Sequence, residues 1–196
     1  SASDFKLFKE YSATESFEGQ TIKLTSNVDL GGETFDGLYA VNREGLNRTG
    51  VAEGGFKGTF DGGNYIISNL TMGNRAAKKD SVGFFNYVNG GKVKNIKFEN
   101  VSINTNSDTV GTVAGAIANN AVIQNIVVDS GSITGVEAGG IVGRMFAEGQ
   151  VIDCINKADI TSTNGTGGAA GIVEKAYYSD VNKDMIILLF FIFFLC

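Results

Sequence analysis

One unit of about 30 residues is written three times in succession between residues 82 and 160. Val82-Gly83-Phe84-Phe85 leads to Lys94-Asn95-Ile96 and closes on Asn100-Val101-Ser102-Ile103. Val113-Ala114-Gly115-Ala116 leads to Gln124-Asn125-Ile126 and closes on Ser130-Gly131-Ser132-Ile133. Gly139-Gly140-Ile141-Val142-Gly143 leads to Asp153-Cys154-Ile155 and closes on Lys157-Ala158-Asp159-Ile160. With Asn69, Asn95, Asn125 and Cys154 taken as equivalent, the steps are 26, 30 and 29 residues. A repeat of that length predicts a solenoid with one coil per unit.

Each unit holds short β-rich runs, such as Asn95-Ile96-Lys97-Phe98 and Ile126-Val127-Val128, broken by Gly, Asn and Asp. Alternation sets Ile96 and Phe98 on one side and Lys97 on the other, which is the period of a strand. So short a run buries little alone. Stacked coil on coil about 4.8 Å apart, each strand pairs with its equivalents above and below. The expected fold is therefore all-β: a single-stranded, right-handed parallel β-helix of about five or six coils with a pectin-lyase-like architecture. Leu70, Ile96, Ile126 and Ile155 are expected in one inward column, and Ile103, Ile133 and Ile160 in another. Leu24, Phe98 and Val128 also read as inward. Gly83, Gly115, Gly139, Gly140 and Gly171 suit a positive φ or a close approach between coils. Asn69, Asn95 and Asn125 are expected to form an amide ladder at one corner.

Along the chain, residues 1–20 read as a capping element. Ser3-Asp4 before Phe5, Leu7, Phe8 and Tyr11 predicts a short amphipathic helix with a polar N-cap. An open β-helix end exposes unpaired backbone and apolar core, so it needs such a lid. Residues 21–183 form the β-helix. Its first coil runs over residues 21–30, and loops are expected over residues 31–55 and 72–81. Between them Asp61-Gly62-Gly63-Asn64 supplies a tight turn.

Phe56 to Leu70, followed by Gly139-Gly140-Ile141-Val142-Gly143 and its weaker copies, resembles the GLUG-repeat family, named for a Gly-Leu-any-Gly core. The resemblance extends over residues 19–183. It implies a module of the kind found in bacterial surface and secreted proteins, including adhesin-like proteins and the N-terminal part of IgA-specific metallopeptidases. The motif residues are scaffold residues, so no catalytic residue comes with them. The sequence departs from the pattern where Ala116 and Phe84 replace the aliphatic core residue and where Glu174 stands one coil after Gly143.

Residues 184–196 break the repeat with an unalternating apolar run from Met185 to Cys196. A helix of that length reaches about 18 Å, short of the ~30 Å of a bilayer core. No firm membrane span is expected. The run reads first as a frame or fragment end, then as a hydrophobic lid or partial anchor. The chain begins with Ser1 and not Met, which reads as a mature or recombinant piece.

The chemistry of most enzyme classes is missing. Without His there is no histidine acid–base pair, histidine-ligated metal or Ser-His-Asp triad. Hydrolases need two carboxylates on one cleft. Asp129 and Asp153 lie four positions apart in register, and Asp159 sits at a Gly- and Ser-rich turn. Arg144 with Asp153 is the nearest approach to a lyase site, and one carboxylate does not build a calcium site of six to eight oxygens. The two cysteines, Cys154 and Cys196, make no disulfide framework, and Cys154 is expected on the Asn column, small and semi-buried. Sequons at Asn47, Asn69, Asn100 and Asn164 carry little weight, because the pattern is short. Without Trp, Tyr39, Tyr65, Tyr87, Tyr177 and Tyr178 are left as sugar-stacking candidates.

The site prediction is therefore none: no catalytic, cofactor-binding or metal-binding residue, and no cofactor. A net charge of −5 excludes a nucleic-acid partner, which would need a basic face. The short cluster Lys92, Lys94, Lys97 reads as a solvated face. The expected role is a non-catalytic structural or adhesion module, extracellular or at the cell surface, monomeric within a larger protein. Its partner would be a host or cell-surface glycan or protein. The alternative is a carbohydrate-binding or polysaccharide-degrading β-helix of lyase or hydrolase type.

Overall fold

The structure, a computed structural model, describes residues 2–31, 34–38, 54–73, 81–146, 148–163 and 168–176. One helix, Ala2–Tyr11, precedes a series of short strands that pair only in parallel. The strands repeat in a fixed order over four faces. Lys92–Glu99, Val122–Val128, then Gln150–Ile152 with Ile155–Asn156 lie on the first face, above Thr59–Asp61 and Ile66–Ser68. Thr71–Met72, Val101–Asn104, Gly131–Gly135 and Asp159–Ser162 make the second face. Ser81–Val82, Thr109–Gly111, Ala138–Gly139 and Ala169–Ala170 make the third. Phe85–Asn89, Ala114–Ala118, Val142–Met145 and Val173–Ala176 make the fourth. The fold is thus a parallel β-helix. Three regular turns run from Lys92 to Ala176, against the five or six expected, with less regular strands stacked beneath them.

Period-2 alternation fills the interior. On the first face Val93, Ile96 and Phe98 stack in register with Ile123, Ile126 and Val128, and all are buried. On the second face Met72, Ile103, Ile133 and Ile160 form one column, as anticipated for the last three. Leu24 and Ile160 are only partly buried, at the two ends of the stack. Of the other anticipated column, Ile96 and Ile126 stack as expected, but Leu70 and Ile155 fall outside it. Leu70 immediately precedes the strand whose Thr71 pairs with Ser102, so it lies one corner away from Ile96. Ile155 pairs with Val127, an outward position, and is 52% exposed. Cys154 takes the inward place instead, because the last turn is two residues shorter than a 30-residue step at this corner.

The corners explain the Gly-Asn punctuation. Asn64, Asn95, Asn125 and Asp153 have φ of 63°, 58°, 53° and 53°. Asn and Asp tolerate this left-handed conformation where other L-residues pay a steric penalty. At a different corner, between the third and fourth faces, Gly83, Gly115, Gly139 and Gly140 serve close approach and not positive φ. A Cβ on Gly83 would stand 2.6 Å from the Gly115 nitrogen. Gly171, also read as crowded, has nothing within 4 Å. The register there aligns Phe84, Val113, Ile141 and Ile172 as the core residue of successive motifs. Ala116 is therefore not the aliphatic substitute; Val113 is. Ala116 faces the other way and packs with Tyr87, Ala118 and Phe146.

The N-terminal helix does close one end of the core. It starts at Ala2, so Ser3 and Asp4 lie within its first turn and do not precede it. Phe5 stacks on Phe84 at 5.6 Å and Phe8 on Phe60 at 5.6 Å. Beside this cap lies an apolar cleft of about 190 Å³ bordered by Phe5, Phe8, Ile22, Leu24 and Val28. Residues 184–196, with the three readings of that tail, lie outside the described residues.

Candidate functional site

Side-chain amides form ladders at three corners. Asn95 donates to the Asp61 carboxylate at 2.9 Å, and Asn125 donates to the Asn95 carbonyl at 2.8 Å. Asn69 belongs to a second ladder. It donates to Asp29 at 2.7 Å and accepts from Asn100 at 2.6 Å. Asn119 donates to Asn89 at 2.6 Å in a third. The first two ladders share a polarity: each amide donates toward the N-terminal end and an aspartate terminates the chain as a pure acceptor. The expected single ladder of Asn69, Asn95 and Asn125 is thus two, and the corner residue beyond Asn125 is Asp153, not Cys154. The signal was in the sequence. Asn89 and Asn119, like Asn95 and Asn125, are 30 residues apart, and Asn69 and Asn100 are 31 apart.

These bonds separate two contributions at one residue. Asn95→Ala removes two ladder bonds, each worth about 1 kcal/mol, and forces Ala into a left-handed conformation costing about 1–2 kcal/mol. Asn95→Gly removes the same bonds but relieves the backbone. Urea unfolding should place the Ala variant roughly 3–4 kcal/mol below the parent and the Gly variant between them. Equal losses in the two variants would show that the backbone conformation carries none of the effect.

The outer side of the first face holds the charges. Lys97 sits between Glu99 at 2.7 Å and Asp129 at 3.1 Å, and Lys157 reaches Asp129 at 2.7 Å from the next turn. Lys94 pairs with Asp61 at 3.3 Å. Of the Lys92, Lys94, Lys97 cluster, Lys94 and Lys97 are thus each paired with carboxylates. The Lys157 and Lys97 ammonium groups, through hydrogen bonds first and charge second, hold the Asp129 carboxyl below its usual range. Asp61 is also held low: burial works against ionisation, but the Asn95 amide, the Gly63 N–H and Lys94 outweigh it. Hydrogen bonds from Asn69 and Gly31 lower Asp29.

A carboxyl whose folded pKa is depressed stabilises the fold above its unfolded value, and that contribution is lost as pH falls through the folded pKa. The three aspartates start from 3.8. Stability is therefore expected to hold from neutral pH to about pH 4 and to fall below it. Asp129→Asn should shrink the difference between urea midpoints measured at pH 7 and pH 3. An undiminished difference would remove Asp129 from the acid-sensitive set. Lys97 moves the other way: Glu99 and then Asp129 raise its pKa above 10.5. Its contribution is full below that value and fades as pH rises through the folded pKa.

Other expected combinations resolve differently. Arg144 pairs with Glu137, donating from Nε at 3.0 Å and also from Nη2, and not with Asp153. Asp129 and Asp153 do stand four positions apart, since Asp129 follows Val128 while Asp153 precedes Cys154 in aligned strands. Tyr87 is fully buried and offers no stacking surface, while Tyr65 is 36% exposed. Tyr39, Tyr177 and Tyr178 lie outside the described residues. Among the described residues no group of three His, Cys, Asp or Glu is placed to hold a metal ion.

Cys154 is half-buried, its Sγ 3.2 Å from the Ile152 carbonyl. Burial, against weaker backbone hydrogen bonds, pushes its thiol pKa up to about 11. Only the thiolate is a nucleophile. Alkylation by iodoacetamide at pH 8 should be slow in the native chain and fast in urea; a native rate matching the unfolded one would contradict the burial.

No helix among the described residues is long and apolar enough to cross a membrane, a statement about helices alone. No solved structure matches the chain. Ninety-nine residues are 36% identical to halomucin of Haloquadratum walsbyi, covering 48% of this chain and 1% of that protein. The chain thus spans a very small part of the curated relative it matches. Residues 40–130 match the family model described as the M26 IgA1-specific metallo-endopeptidase N-terminal region, in keeping with the resemblance to GLUG repeats.

Proposed function

We propose that this chain is a non-catalytic structural and adhesion module of a secreted or cell-surface bacterial protein. One observation carries the reading. The amides that recur at the corners and the charges of the first face are used up in the scaffold: amides bond to amides along the ladders, and Lys97, Asp129 and Lys157 neutralise one another across three turns. Hydrolysis at a glycosidic bond needs two carboxyl groups facing across a space that admits substrate. Here Asp61 and Asp129 are each committed to a lysine on the outer side of a sheet. The match to the N-terminal region of a metallo-endopeptidase family supports a supporting module over a reaction centre.

Two measurements test it. The chain is incubated with acidic and neutral polysaccharides, with and without calcium. No release of unsaturated or reducing ends is expected, and release that survives repurification overturns the non-catalytic reading. Protease treatment of intact cells making the full-length protein should remove the module. Full protection on intact cells, with cleavage after lysis, overturns the surface reading.

A further inference from the structure

The outward positions of the second face differ in kind from those of the first. Thr71, Ser102, Ser132 and Asp159 align in one row across four strands. Asn104, Thr134 and Thr161 align in a second row two residues along. All but the half-buried Thr134 are exposed. Their inward neighbours Met72, Ile103, Ile133 and Ile160 anchor each strand in the core column. The rows are about 4.8 Å apart from strand to strand and about 6.6 Å apart along it.

On the first face Lys94 pairs with Asp61, and Lys97 and Lys157 share Asp129. Here, among the described residues, none of the seven side chains makes a hydrogen bond or ion pair. Each hydroxyl can give one hydrogen bond and take two, and the Asn104 amide does both. Thr is stiff at χ1 and its strands are locked in a sheet, so ordering these groups on binding costs little. The rows carry no cation, and their single charge is Asp159 on the last strand. An acidic polymer would meet no counter-charge there and would approach a chain of net charge −5. A protein partner usually needs an apolar centre to its contact, and these rows present no apolar side chain. A neutral polysaccharide, rich in hydroxyls that both donate and accept, is the polymer whose chemistry the rows match.

We propose that the outward side of the second face binds a neutral polysaccharide lying across the stacked strands, an inference that rests on the reading of the chain as an adhesion module. The experiment is electrophoresis of the whole chain through gels containing a galactomannan, a mixed-linkage β-glucan or, for contrast, polygalacturonate. Retardation by at least one neutral polymer is expected, unchanged in 1 M salt. Ser132→Lys should weaken it at least tenfold, and so should Thr161→Lys, which serves if the first variant melts early. Gln150→Lys adds the same charge on the first face and should leave retardation unchanged. Absence of retardation in every neutral gel, retardation by polygalacturonate alone, or equal loss in Gln150→Lys overturns the proposal. The end-release and cell-surface tests do not depend on this face, so the module reading survives or fails separately.

Discussion

Ile126→Asp is expected to abolish cooperative folding at 25 °C. Ile126 has no exposed surface and stacks in register on Ile96. Above it the aligned position is Cys154, half-buried and itself apolar in this setting. A carboxylate placed between them meets an aliphatic side chain on one side and only a weakly donating thiol on the other, and it loses the transfer energy of the aliphatic chain as well. An unpaired buried charge together with that loss costs roughly 4 kcal/mol or more, a large share of the ~5–15 kcal/mol that holds a domain together. The stacking aggravates the effect. Each strand buries its inner row only against its neighbours, so one disrupted turn separates the turns on both sides. Far-UV circular dichroism should show loss of strand signal and no cooperative thermal transition. A variant that still melted within a few degrees of the parent would place Ile126 outside the core.

Phe84→Ala is expected to cost about 3–5 kcal/mol, the range for a fully buried Phe cut to Ala. Phe84 is where the cap meets the solenoid. Its ring lies 5.6 Å from Phe5 on the helix, 5.5 Å from Phe35, 5.9 Å from Phe60, 5.3 Å from Phe85 and 5.6 Å from Phe98. Such pairs add to the burial of area itself. Truncation leaves a cavity that none of these rings fills without moving the helix, whose inner side rests on Phe5 and Phe8. The melting temperature should fall by about 10 °C, from a few degrees per kcal/mol in a domain of this length. Phe84→Leu, which keeps most of the volume, should lose much less. Limited proteolysis should cut within residues 2–31 of the Ala variant before the rest of the chain. A drop of under about 1 kcal/mol would show the helix to be a lid that the core does not need.

Much of this architecture was already written in the chain. The 30-residue period and the period-2 alternation of Ile96 and Phe98, or Ile126 and Val128, require stacked strands with those residues inside, because a strand of that length buries its apolar row only against copies of itself. Asp61-Gly62-Gly63-Asn64 encodes its turn locally: Gly63 donates to the Asp61 carboxylate at 3.0 Å, and Asn64 takes φ of 63°. The scaffold character of the Gly motif was legible for the same reason, since close approach between coils leaves no room for a Cβ.

What the sequence by itself did not determine is the register at each corner. Asn69 and Asn95 look equivalent in a string of letters, yet they stand at different corners, and only the stacked strands assign Asn69 to Asp29 and Asn100. A slip of one residue turns every side chain to the opposite side of a sheet. That is why Ile155, one position past the inward place, is half-exposed while Cys154 is inside. The charge network depends on the same alignment. Lys97, Asp129 and Lys157 are far apart in sequence, and no local rule pairs them. They neutralise one another because three turns bring them side by side, and only the tertiary structure sets that spacing.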